Sequence, residues 1–126
     1  MVESGSAMVD VLICDDSRFM RLMLSRIIRK MGYRVVGEAS NGLEAVEKYK
    51  QLKPDLVTLD IVMSKLDGIR ALKQIKSFDP EARVIMVTAI GNQAMVLSAM
   101  RFGAKEFIVK PFKQNEVIQA IHRALE

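Results

Sequence analysis

The stretch Asp55-Leu56-Val57-Thr58-Leu59-Asp60-Ile61 decides how this chain is read. An apolar run stops abruptly at a carboxylate. A short continuous apolar run of this kind fits a strand buried on both faces, as in a parallel sheet. The pattern recurs elsewhere. Val9 to Cys14 runs into Asp15-Asp16, Val84 to Val87 into Thr88, and Phe107 to Val109 into Lys110. Each apolar segment hands over to a polar residue at its C-terminal end.

Between these runs the period changes. Met20, Met23, Leu24, Ile27 and Met31 recur at spacings of three and four, with Arg21, Arg29 and Lys30 among them. That is an amphipathic helix with one core stripe, closed by Gly32 as a C-cap. Tyr33 to Glu38 reads as a weaker strand, and its charges suit a sheet edge. Ser40-Asn41-Gly42 forms a turn and cap, and Leu43, Val46, Tyr49 and Leu52 carry the next helical stripe up to Pro54. Ile69, Leu72 and Ile75 mark a third helix, ended by Asp79-Pro80. After the strand at 83–87 and Gly91-Asn92, a fourth helix is expected to turn Ala94, Leu97 and Met100 or its neighbours inward. The strand at 105–109 precedes a last helix starting at Gln114 or Asn115, with Val117, Ile118, Ile121 and Leu125 on one face.

Strict alternation of strands and helices predicts a parallel sheet covered on both faces and joined by right-handed crossovers. In such open sheets the ligand site lies beyond the strand C-termini. Asp15, Asp16, Asp60, Thr88 and Lys110 therefore share one rim despite their separation in sequence.

Composition narrows the function classes. The 126 residues suit one domain. Residues 1–8 read as a flexible lead-in and residues 9–126 as the folded domain. No apolar run approaches the roughly 18 residues that span a bilayer. Residues 1–8 also lack the apolar core of a signal peptide. Cys14 is the single cysteine, which excludes an intrachain disulfide and makes the cytoplasm the expected compartment. The net charge of +4 is too modest to indicate nucleic-acid binding, and without tryptophan there is no base-stacking platform.

The rim has its own chemistry. Gathered carboxylates repel one another unless a cation joins them, and a hard divalent ion such as Mg²⁺ suits oxygen ligands. Lys110 adds a fixed positive charge and Thr88 a hydroxyl. Together they suit a phosphoryl group, whose charge spreads over its equatorial oxygens during transfer. Asp60, ending the central strand, is the best placed nucleophile.

These residues carry a family resemblance. Cys14-Asp15-Asp16-Ser17, Leu59-Asp60-Ile61-Val62-Met63 with Asp67-Gly68, Val87-Thr88-Ala89 and Val109-Lys110-Pro111-Phe112 stand in order at the strand ends. The chain resembles the receiver domain of two-component response regulators. Arg18-Phe19-Met20-Arg21 and the run Gly103 to Phe112 are most similar to the stand-alone chemotaxis regulators of the CheY type. The resemblance implies a flavodoxin-like α/β fold, its five parallel strands in the order 2-1-3-4-5. It implies that Asp60 accepts a phosphoryl group from a phosphohistidine on a sensor histidine kinase. Asp16, Asp60 and the backbone carbonyl of Val62 would ligate Mg²⁺, with Asp15 acting mainly through water and Mn²⁺ as a substitute ion. Thr88 and the Ala89 N–H would hold phosphoryl oxygens, and Lys110 would pair with the group. The Lys110-Pro111 peptide is expected to be cis. Phe107 and Thr88 take the switch positions, and the partner surface is the fourth helix, fifth strand and fifth helix. A flagellar motor switch protein and a phosphatase are the implied partners, of a monomer that neither binds nucleic acid nor inserts into membranes.

The chain departs from the family pattern twice. Ser64 stands where a proline usually stiffens the loop after the acceptor. The residues two beyond Asp60 and two beyond Thr88 are Val62 and Ile90, which cannot orient an attacking water by hydrogen bonds. Slow dephosphorylation is therefore expected. The other functions weighed are a phosphorelay carrier, the receiver fragment of a longer transcriptional regulator, a hydrolase and an adaptor that takes no phosphate. A hydrolase is disfavoured by the lack of a Gly-rich phosphate loop and of a second carboxylate at Val62. Elsewhere, Cys14 reads as a buried inert thiol, His122 as an exposed surface residue, Phe107 as partly buried, and most of the nine methionines as core filling.

Overall fold

The computed structural model describes residues 8–126, so the lead-in expected at 1–8 lies, apart from Met8, outside the described residues. Five strands and five helices alternate: β1 (Asp10–Cys14), α1 (Arg18–Lys30), β2 (Arg34–Ala39), α2 (Gly42–Leu52), β3 (Leu56–Leu59), α3 (Gly68–Phe78), β4 (Val84–Thr88), α4 (Gln93–Arg101), β5 (Glu106–Val109) and α5 (Gln114–Leu125). The strands form one parallel sheet in the order β2-β1-β3-β4-β5. Every residue of β3 and β4 is buried, as continuous apolar runs require. β2 lies at the edge and is largely half-exposed, which its charges anticipate.

Side chains alternate across the sheet and split the core in two. Val57, Leu59 and Met86 face α2, α3 and α4 on one side. Val11, Ile13, Leu56, Ile85 and Val87 face α1 and α5 on the other. Short polar caps start the first four helices. The side chains of Ser17, Asn41, Asp67 and Asn92 accept from Met20, Glu44, Arg70 and Met95 N–H groups. Gly32 follows α1 at φ 86, a conformation that costs glycine little.

The helical stripes need correction. On α2, Val46 and Tyr49 are buried as expected, but Leu43 and Leu52 are exposed, and Gly42 and Ala45 take the inward places. On α4, Ala94, Leu97 and Met100 all face outward. Ala99 is the buried residue, and Met95 packs partly against the core. Two apolar stripes exist on this helix, and the one carrying the small Ala99 allows the closer approach. Of the methionines in the described residues, Met63 and Met86 are buried, and Met20, Met31 and Met95 pack partly buried against the core. No helix among the described residues is long and apolar enough to cross a membrane.

Candidate functional site

The register of the sheet builds the rim. Cys14 pairs with Leu59, which sets the next residues, Asp15 and Asp60, side by side. Thr88 pairs with Val109, and the Lys110 N–H donates to the Thr88 carbonyl at 2.8 Å. Lys110 then turns back across the sheet end. Its Nζ donates to Asp15 Oδ2 at 2.7 Å and to Asp60 Oδ2 at 3.0 Å. Asp15, Asp16 and Asp60 each present a carboxylate oxygen, all within 4.8 Å of one another. The peptide between Lys110 and Pro111 is cis, as expected.

Burial sets the electrostatics. Asp15 is 1% and Asp60 5% exposed, whereas Asp16 faces solvent. Desolvation lifts the Asp15 carboxyl above its ordinary range, against the pull of the Lys110 ammonium and the Ser17 N–H. Burial works against the charge on Lys110, but its bonds to Asp15 and Asp60 outweigh it and raise its pKa. The ammonium is thus held charged as the local counter-ion of the carboxylates.

The remaining bonds fix the backbone. The Ser17 N–H donates to Asp15 Oδ1 at 2.9 Å, and the Val62 N–H to Asp60 Oδ1 at 3.3 Å. Thr88 is fully buried, and its Oγ1 accepts from the Ile90 N–H at 3.4 Å. Ala89 is exposed beside it and Ile90 half-buried. The Val62 side chain is 54% exposed and points no polar group at the carboxylates. Phe107 on β5 is half-buried against the core of the α2–α4 side. Cys14 is buried, and burial pushes its thiol far up, which agrees with an inert role.

Sequence reasoning missed Arg21. Its Nη1 donates to the Asp15 carbonyl at 2.7 Å and its Nε to Glu38 Oε1 at 2.9 Å, which steadies the end of β1. A basic residue on a helix otherwise reads as part of a solvated face, and a carbonyl partner leaves no mark in the sequence.

Three carboxylates, two of them buried, with one open to water, fit a hard divalent cation that keeps part of its hydration shell. The model of the response regulator receiver domain matches residues 11–122. The chain belongs to the response regulator receiver family. This receiver is 57% identical over 113 residues to the chemotaxis protein CheY of Thermotoga maritima, covering 90% of this chain and 94% of that protein. It is 55% identical over 115 residues to the chemotaxis protein CheY of Bacillus subtilis, covering 91% and 96%. Among solved structures, a CheX–CheY–BeF3–Mg²⁺ complex from Borrelia burgdorferi superposes with a TM-score of 0.92 at 42% identity, covering 94% of this chain and 90% of that one. The receiver is therefore of the CheY type.

Proposed function

We propose that this receiver is the phosphorylatable switch of a chemotaxis two-component system, with Asp60 as the phosphoryl acceptor. The observation that carries the reading is the buried Asp60 carboxylate, ending the central strand within bonding distance of Lys110 and beside Asp15 and Asp16. A carboxylate oxygen of Asp60 attacks phosphorus and forms a P–O bond. The P–N bond to the imidazole of a sensor kinase phosphohistidine breaks, and the imidazole leaves with the bonding pair. Lys110 shifts from the carboxylates towards the incoming phosphoryl oxygens. The Thr88 hydroxyl and the Ala89 N–H receive the others. Asp16, Asp60 and the Val62 carbonyl would hold Mg²⁺, or Mn²⁺ in its place, with Asp15 acting mainly through water, and the bound ion would supply positive charge against the phosphoryl oxygens.

Movement of Thr88 would pass to Phe107 and to the face made by α4, β5 and α5, biasing an equilibrium between two conformations. That face already exposes Leu97, Met100 and Val109. Its partners would be the kinase, a flagellar motor switch protein and a phosphatase, met by a monomeric receiver spanning residues 9–126 in the cytoplasm. A carrier role in a phosphorelay draws support from Val62 and Ile90, since slow hydrolysis preserves a phosphoryl group for transfer.

Incubation with Mg²⁺ and a small phosphodonor, followed by mass measurement, tests the reading. One added phosphoryl mass, lost in Asp60→Asn, is expected. An adduct that survives Asp60→Asn, or no adduct together with nucleotide turnover, overturns it.

A further inference from the structure

We propose that Gly42, at the start of α2, is a positioning residue for the Asp60 site, because it clamps the loop that follows β3. The inference rests on the reading of Asp60 and the Val62 carbonyl as parts of the phosphoryl and cation site.

The loop between β3 and α3 lacks the proline that would stiffen it, and Ser64 stands there instead. It is nevertheless tightly turned. The Leu66 N–H donates to the Ser64 carbonyl at 2.7 Å, which closes a three-residue turn around Lys65 at φ 68. A turn closed so tightly around a non-glycine residue at positive φ is rare and strained. Such strain persists only where the surroundings over-determine the conformation.

Gly42 supplies those surroundings. Its N–H donates to the same Ser64 carbonyl at 3.3 Å. A Cβ on Gly42 would lie 1.8 Å from the Leu66 oxygen and 2.6 Å from its carbonyl carbon. Both are backbone atoms, so no side-chain rotation relieves the clash. Only glycine lets the N-terminus of α2 seat on the turn.

That N-terminus is itself fixed. Asn41, 8% exposed, accepts from the Glu44 N–H at 2.9 Å, and Glu44 Oε1 accepts from the Ser40 N–H at 2.7 Å. One residue earlier, the Ala39 carbonyl at the end of β2 accepts from the Asp15 N–H at 3.0 Å, which ties the strand that leads into α2 to the acidic rim. At its other end the loop is seated in the same manner. The Gly68 N–H donates to the Ile61 carbonyl at 2.7 Å, and a Cβ there would lie 1.9 Å from the backbone carbonyl oxygen of Asp60. Val62, whose N–H meets the Asp60 carboxylate, lies between the two glycine seats. Displacing the Gly42 seat therefore moves the segment that borders Asp60, although Gly42 touches none of the reacting groups.

The test pairs Gly42→Ala with Gly37→Ala. A Cβ on Gly37 meets only side-chain atoms, Leu52 Cδ1 at 2.8 Å and Leu12 Cδ1 at 3.4 Å, so it reports packing cost alone. Gly42→Ala is expected to weaken Mg²⁺ binding, read by calorimetry, about fivefold or more. In the metal-free protein it is expected to speed hydrogen exchange at the Leu66 amide about tenfold. Gly37→Ala moves the melting temperature and neither of these. Asn41→Ala, which loosens the α2 cap, shifts Leu66 exchange in the same direction by less. The proposal is overturned if folded Gly42→Ala matches the parent in both readouts, or if Gly37→Ala weakens Mg²⁺ binding as much. If Gly42→Ala does not fold, unchanged Leu66 exchange in Asn41→Ala overturns it. A parent that binds no Mg²⁺ sinks the reading of the site, while Leu66 exchange still reports on the clamp.

Discussion

The Lys110 ammonium sits closer to Asp15 than to Asp60, at 2.7 Å from one Oδ2 and 3.0 Å from the other. It serves the two buried carboxylates as an internal cation and is itself mostly buried, with a side chain 15% exposed. Removing one partner of a buried ion pair costs more than the pair contributes, because the charge left behind has no partner. Lys110→Met is therefore expected to lower stability by about 3 kcal/mol without metal. A bound cation would replace the lost charge. Mg²⁺ should accordingly raise the melting temperature of the variant more than that of the parent, as measured by thermal denaturation with and without the ion. Equal shifts in both proteins would show that Lys110 does not compete with the cation for these carboxylates.

Val62 and Ile90 are expected to set how fast the phosphoryl group leaves. Val62 is exposed and Ile90 half-buried, and neither side chain offers a donor or acceptor to a water approaching Asp60. A double variant, Val62→Asn with Ile90→Glu, places polar groups at both positions without touching Asp60, Thr88 or Lys110. Its phospho-aspartate is expected to hydrolyse about tenfold faster than that of the parent, equivalent to about 1.4 kcal/mol of barrier. Decay of the phosphorylated mass after removal of the donor measures this. An unchanged half-life would mean that water orientation does not limit the step.

The rim is legible in the sequence because the end of a strand is a local event. Asp15, Asp60, Thr88 and Lys110 each terminate an apolar run, and parallel topology brings those ends together. α4 is less legible. Ala94, Leu97 and Met100 fall at helical spacing, and so do Met95 and Ala99, so periodicity alone cannot choose between the two stripes. The choice is tertiary, settled by the burial of Ala99. Gly42 and Gly68 pose a related problem. Gly42 reads as part of a turn and cap and Gly68 as part of a family motif, but the backbone each abuts, at Leu66 and Asp60, lies beyond any local pattern.

Thr58 carries an unmet polar group in the middle of the sheet. It lies on β3 two residues before Asp60, is 1% exposed, and its Oγ1 has no hydrogen-bond partner. Burying an unpaired hydroxyl costs stability, whereas an apolar isostere at the same place carries no such penalty. Thr58→Val is expected to raise stability by about 1 kcal/mol. The melting temperature should rise by about 4 °C for a domain of this size. A melting temperature that falls instead would show that the hydroxyl finds a partner in solution.

The Tyr49–Asp79 bond links α2 to the end of α3 and gives stability a pH signature. The buried Tyr49 hydroxyl donates to Asp79 Oδ2 at 2.7 Å. This bond, with a second from the Glu81 N–H, holds the Asp79 carboxyl below its ordinary value. A carboxylate depressed in the folded state stabilises the fold above its unfolded pKa. That stability is lost as pH falls through the folded pKa. Tyr49→Phe removes the donor and leaves the ring, which meets Phe78 edge-on at 6.3 Å. At neutral pH the variant is expected to lose about 1 kcal/mol, below the range for a buried bond to a charged group, since Asp79 is partly solvated. Urea titrations across the acid range should show the gap between the two proteins closing below the ordinary carboxylate pKa. A gap that stays constant with pH would assign the loss to packing and not to the charged hydrogen bond.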